Sequence, residues 1–267
     1  PITQTATSAM SLLLIQNSVG MKVKARALWI RIALFVAYLS LFHAGQSFLS
    51  FQWDSLLLET GFLAMFLGAR PTPLLLFLFH WILFRLRFMS GVAKLASGDP
   101  AWADLTALQY YFETQPLPHW GAWYFHQFPE WLLFAGIMLV FVSELLVPWL
   151  IFIGRRARLV AAVITISIQL LIIATSNHNW INLLTILLCL FLIDDMHLKK
   201  LLPASISLRL YRDASRDSAA DSAILARVLP VFAVVILLSS ITAFSHKFTP
   251  LGMPAGLNQM SAYTRSW

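Results

Sequence analysis

Charge is scarce in this 267-residue chain: 12% of its residues are Asp, Glu, Lys or Arg, against roughly 25% in an ordinary soluble domain. Hydrophobic residues make up 59%, and the mean hydropathy is +0.73. Together these values exclude a soluble single domain. Cysteine is nearly missing too. Cys189 stands alone inside an apolar run, so no intrachain disulfide can form and no thiolate cluster can hold a metal. The sequence has no Asn-x-Ser/Thr acceptor, no phosphate-cradling glycine loop, no zinc-type histidine spacing and no serine nucleophile elbow. Standard soluble catalytic signatures are absent, and neither metal nor cofactor is expected.

Long apolar runs take their place. The strongest are Leu28 to Leu49, Pro73 to Ala93, Trp131 to Ile153, Leu159 to Ser176, Trp180 to Ile193 and Val228 to Phe244. Several approach the roughly 20 residues that a helix needs to cross a bilayer core, where only helices and closed barrels satisfy the backbone. A further run, Ser55 to Leu67, is short and carries Glu59. It suits a short span, a re-entrant hairpin or an interfacial helix, and charge parity chooses among them. If it spans, Lys22, Lys24, Arg26, Arg31, Arg70, Arg155, Arg156, Arg158, Lys199, Lys200, Arg209, Arg212, Arg216 and Arg227 gather on one side. The other side then keeps Lys94, Lys247 and Arg265, which is the bias of a positive interior. The expected fold is an all-α, polytopic integral membrane helical bundle of about seven transmembrane helices, N-terminus inside. The net charge of +7 lies in short clusters beside apolar runs, so it reads as an orientation signal and not as a nucleic-acid footprint.

The expected organisation is an inner segment 1–27, a transmembrane domain 28–245 with an outer loop 95–130 and an inner loop 194–227, and an outer tail 246–267. The absence of an initial methionine suggests a fragment. The outer loop carries Asp104, Glu113, Thr114, Gln115 and Pro116 among many aromatics. It suits a cap on the membrane surface, with Trp120, Trp123 and Tyr124 at headgroup depth, or an aromatic belt alone.

Ionisable side chains inside spans cost on the order of 3 kcal/mol each, so each needs a partner, water or a role. His80, Arg87 and Lys94 recur with Phe84 and Gly91 at i, i+4, i+7, i+11 and i+14, which places all five on one helix face. This stripe is either a polar network fixing helix register or the lining for an anionic or quinone-like ligand. Glu59 and Glu144 are the candidate counter-ions for Arg87. Arg85 falls on another face and is expected to snorkel. Pro148, one turn beyond Glu144, predicts a kink. Asn177, Asn182 and Thr185 form a polar cluster at the next helix turn, consistent with helix termination.

Several strings resemble the signature segments of the lipase maturation factor family. They are YLSLFHAGQSFLSFQWDSLLLETGFLAMF from Tyr38, FRLRFMSGVAKLASGDPAWADLTALQYYFETQPLPHW from Phe84, SELLVPWLIFIGRR from Ser143 and SNHNWINLLTILLCLFLIDD from Ser176. The match runs in order from Leu28 to Asp195. It implies a membrane-embedded folding factor that assists assembly of secreted, homodimeric lipase-type clients, resident in the endoplasmic reticulum membrane in animals. The chain departs from the animal pattern in lacking the earlier N-terminal helices, the following soluble domain, loop cysteines and glycosylation sites. A bacterial inner-membrane member, whole or truncated, is therefore expected. A more distant similarity, through Phe88, Gly91, Val92, Lys94 and Leu95, is to the vitamin K dependent gamma-glutamyl carboxylases. It implies Lys94 as a catalytic base on a hydroquinone, and so an alternative: a carboxylase-like membrane enzyme or carrier for a lipid-soluble ligand. The expected partners are the lipid bilayer and a secreted client, with no nucleic acid.

Overall fold

The computed structural model describes residues 28–49, 51–67, 71–117, 119–178, 180–194 and 229–241, all helix, turn or loop with no strand among them. The inner segment 1–27, the tail 246–267 and the inner loop beyond Asp194 lie outside the described residues. Among the described residues, four helices are long and apolar enough to cross a membrane: Leu28–Gly45, Pro73–Leu95, Glu130–Ile153 and Arg155–Thr175. The protein is a helical membrane protein, and it divides into two units, Pro1–Met65 and Phe66–Trp267.

In the first unit, α1 (Leu28–Gly45) passes through a 3-10 turn, Gln46–Phe48, into α2 (Gln52–Met65). The two run antiparallel. Tyr38 donates to Asp54 at 2.6 Å, Arg31 reaches the carbonyl of Ala64 at 3.2 Å, and Phe35 meets Phe62 with ring centroids 5.8 Å apart. Asp54 is buried, so its bond to Tyr38 offsets part of the cost of placing a carboxylate in an apolar hairpin. Glu59 lies half-buried on α2.

The second unit is built around α3 (Pro73–Leu95). Thr72 caps its first turn by accepting from the amide of Leu75, and Pro73 occupies a first-turn position where no amide is missed. Leu75, Leu78, Phe79, Ile82 and Leu83 are buried, as expected for a helix apolar on nearly every side. After α3 come three short helices, α4 (Pro100–Ala103), α5 (Ala107–Tyr111) and α6 (Trp120–His126). They make the expected outer loop a folded cap. The chain returns through α7 (Glu130–Phe141), a π-helical turn (Val142–Leu146), a 3-10 turn (Val147–Trp149) and α8 (Leu150–Ile153). The irregularity expected at Pro148 is thus present, but it begins a full turn earlier, at Ser143 and Glu144. Gly154, with φ of 154°, reverses the chain into α9 (Arg155–Thr175). Helices α10 (Ile181–Leu190) and α11 (Leu229–Ile241) complete the described part of the unit.

Aromatic side chains lock these helices together. Phe79 of α3 stacks on Phe191 with centroids 4.1 Å apart, and Phe84 packs edge-on against Trp149 at 4.9 Å and Phe152 at 5.3 Å. At the end remote from the cap, Asp194 joins Arg155 at 3.2 Å and Arg158 at 3.5 Å, tying the start of α9 to the end of α10.

The expectation for Arg85 is corrected. Its residue is 5% exposed, and its guanidinium donates to the hydroxyl of Ser240 on α11 at 3.0 Å, which also accepts from the Trp81 indole at 3.0 Å. A buried acceptor replaces the aqueous boundary to which it would have snorkelled. Ser240→Val removes that shared acceptor, with an expected loss of about 1–3 kcal/mol. Unfolding by denaturing detergent in mixed micelles measures it.

Candidate functional site

Gly91 lets α3 approach the π-helical turn. A Cβ at this position would meet Leu145 Cδ2 at 2.7 Å and Glu144 Cβ at 3.0 Å. The close contact brings the basic face of α3 onto Ser143 and Glu144, both buried. Lys94 Nζ lies 2.7 Å from Glu144 Oε2, and Arg87 Nη1 lies 3.6 Å from Glu144 Oε1. Arg87 Nη2 also donates to Ser143 Oγ at 3.1 Å, and the Lys94 ammonium stands 5.4 Å from the Trp102 ring centroid. The π turn displaces the backbone register so that two successive polar side chains reach the same partner, a use typical of single π turns.

Of the two carboxylates considered for Arg87, Glu144 is the one that pairs with it. The expected stripe divides in two. Arg87 and Lys94 converge on Glu144, while His80, two turns below Arg87, donates from Nε2 to the carbonyl of Phe191 at 2.9 Å. The cluster at the α9–α10 turn divides as well. Asn177 is exposed, whereas Asn182 and Thr185 are buried and Thr185 donates to the carbonyl of Ile181 at 2.8 Å.

The cap is fastened to that turn through groups that sequence spacing does not reveal. Tyr111 lies 2.7 Å from the Ser176 hydroxyl and 2.6 Å from His178 Nε2, and Gln115 Nε2 donates to the carbonyl of Thr175 at 3.0 Å. Burial pushes the Tyr111 hydroxyl up, so it remains protonated and able to donate. Gly121 brings the α6 backbone onto the end of α9, for a Cβ there would collide with the carbonyl oxygen of Ala174. Of the expected loop residues, Gln115 is half-buried in this contact. Glu113 is exposed and pairs with His126 at 2.8 Å, Thr114 donates to the carbonyl of Tyr110 at 2.9 Å, and Asp104 and Pro116 are exposed. Tyr110, Leu117, Trp120, Trp123 and Tyr124 of the cap are all exposed.

Desolvation first, and the Lys94 charge second, hold the His178 imidazole below its ordinary value. A base depressed in the folded state favours the neutral form there, so its docking contribution is complete above the unfolded value, about 6.5, and declines as pH falls below it. Protease cleavage within the cap is expected to rise between pH 7.5 and 5.5. The same scan of His178→Gln should be flat.

The comparisons agree with the strings that carry the sequence resemblance. A family profile described as the lipase maturation factor transmembrane domain matches residues 3–200. Lipase maturation factor 2 of Xenopus laevis is 47% identical over 178 residues, covering 62% of this chain and 25% of the relative. Lipase maturation factor 2 of Homo sapiens is 47% identical over 189 residues, covering 63% of this chain and 27% of the relative. Lipase maturation factor 1 of Mus musculus is 40% identical over 183 residues, covering 64% of this chain and 32% of the relative. The chain thus spans 25–32% of the length of these curated relatives. No solved structure matches it.

Proposed function

This chain belongs to the lipase maturation factor transmembrane domain family, and on that premise we propose that it is the membrane-embedded part of a maturation factor that holds a secreted lipase-type client during folding and assembly. The observation that carries this reading is the cap. It is clamped to the helix bundle through Tyr111, Gln115 and Gly121, and it leaves aromatic and apolar groups exposed to a partner. Aromatic side chains of this kind supply large contact area at little entropic cost.

The topology we propose has seven spans, with the N-terminus inside and the cap outside. The antiparallel hairpin of α1 and α2 supports the return crossing of α2, and the concentration of Arg and Lys on one side supports the orientation. Helices of 14 and 10 residues, α2 and α10, cover about 1.5 Å per residue, so each needs its flanking turns to complete a crossing. For compartment, the cysteine-free cap and the absence of a glycosylation acceptor favour a bacterial inner membrane.

The carboxylase-like reading gains no support from the comparisons. In the structure the Lys94 ammonium is engaged by the Glu144 carboxylate at 2.7 Å. The test is co-expression of the full-length protein with a homodimeric lipase. The active fraction of secreted lipase should rise several-fold with the protein present, and an unchanged fraction would overturn the proposal.

A further inference from the structure

The network around Arg87 carries one more positive charge than negative, since the ion pairs of two cations, Arg87 and Lys94, go to one carboxylate, Glu144. It also has hydrogen-bond donors in excess. Arg87 is 6% exposed. Its contact with Glu144 at 3.6 Å exceeds hydrogen-bond length, and its Nε is buried without an acceptor. Ser143, which accepts from Nη2, already donates its own proton to the carbonyl of Val140 at 2.9 Å. On α10, Asn182 is 4% exposed and its Nδ2 likewise has no acceptor. Asn182, Thr185 and Cys189 recur at i, i+3 and i+7 and so share one face. That face is turned towards α3, because Cys189 on it lies within electrostatic reach of Arg87.

We propose that this network binds one oxyanion, a phosphodiester or a carboxylate, carried on an amphiphile that enters from the cap end. A guanidinium edge pairs with the two oxygens of either group, and an ammonium supplies a point charge beside it. Lys94 is the outermost member, with its side chain 23% exposed beneath the Trp102 ring, and His178 stands nearby at the cap end. An incoming headgroup therefore meets Lys94 first and Arg87 deeper in the bundle. One bound negative charge brings the network to neutrality, which relieves the cost of an uncompensated buried cation. The site is separate from the cap face offered to a client, so it stands or falls independently of that reading.

The test is native mass spectrometry and ligand-dependent thermal shift on the detergent-purified full chain, at fixed ionic strength. The probes are dioleoyl phosphatidylglycerol, oleate, dioleoyl phosphatidylcholine and inorganic phosphate. The wild type should bind phosphatidylglycerol or oleate at least tenfold more tightly than phosphatidylcholine, and whichever wins identifies the headgroup. Arg87→Gln should abolish that preference, while Arg156→Gln, an exposed cation at the opposite end, should keep it. Arg87→Lys, which retains charge but loses the paired edge, should weaken binding and serves if Arg87→Gln does not fold. Equal affinity for phosphatidylglycerol, oleate and phosphatidylcholine in the wild type would overturn the proposal, as would an undiminished preference in Arg87→Gln or Arg87→Lys. Binding of inorganic phosphate as tight as that of the amphiphiles would overturn the amphiphile as its carrier.

Discussion

Glu144→Ala should cost about 3–5 kcal/mol and leave little folded protein, because it strips the counter-charge from two cations at once. Arg87 and Lys94 both direct their ion pairs to Glu144, whose side chain is 6% exposed. The magnitude rests on the charge left behind rather than on the strength of any one bond. A triple replacement, Arg87→Met with Glu144→Leu and Lys94→Met, removes charge of both signs. It should recover most of the lost stability, since well-packed apolar side chains often replace a buried ionic group without loss. Unfolding in mixed micelles separates the cases. A triple variant as unstable as Glu144→Ala would show that packing around Gly91 and Leu145, not charge balance, sets the cost.

Gly121→Leu should release the cap while leaving the helix bundle assembled. A Cβ at this position has backbone, not a flexible side chain, in its way: the Ala174 carbonyl oxygen. The helix α6 must therefore move, and with it the exposed Trp120, Trp123 and Tyr124. Limited proteolysis should cut the variant within 107–128 at least tenfold faster, with its size-exclusion profile unchanged. If the cap face holds the client, the active fraction of secreted lipase should fall by a similar factor. A fast-cut cap with undiminished lipase activity would separate the client surface from the cap.

What the sequence discloses and what it hides follow from the range of each interaction. The convergence of Arg87 and Lys94 is readable because both lie on one helix at a spacing that fixes their common face. Glu144 is readable as an isolated carboxylate within an apolar run. Its neighbour Ser143 is not, since a serine inside a span ordinarily satisfies itself on the preceding turn, as Ser143 also does through Val140. Arg85 was misplaced for a different reason. Position along the helix set it near a boundary, but its partner Ser240 lies 155 residues away on α11, and no local pattern points to it. The docking of the cap is hidden similarly. Tyr111 and Gln115 meet Ser176 and Thr175 across 60 or more residues, and Gly121 carries no signal beyond its small size. The limits of the four long apolar helices were legible to within a few residues, because hydropathy and helix length are both local quantities.

The most direct test of the central claim places a photo-crosslinking amino acid at Leu117, Trp120 or Trp123 on the cap, and at Arg156 as the control. The full-length protein is then expressed with a homodimeric lipase and irradiated during lipase secretion. A maturation factor that works through its cap should yield lipase adducts from the cap positions and none from Arg156. Adducts at Arg156 in equal yield, or none from the cap while lipase is being secreted, would contradict the account.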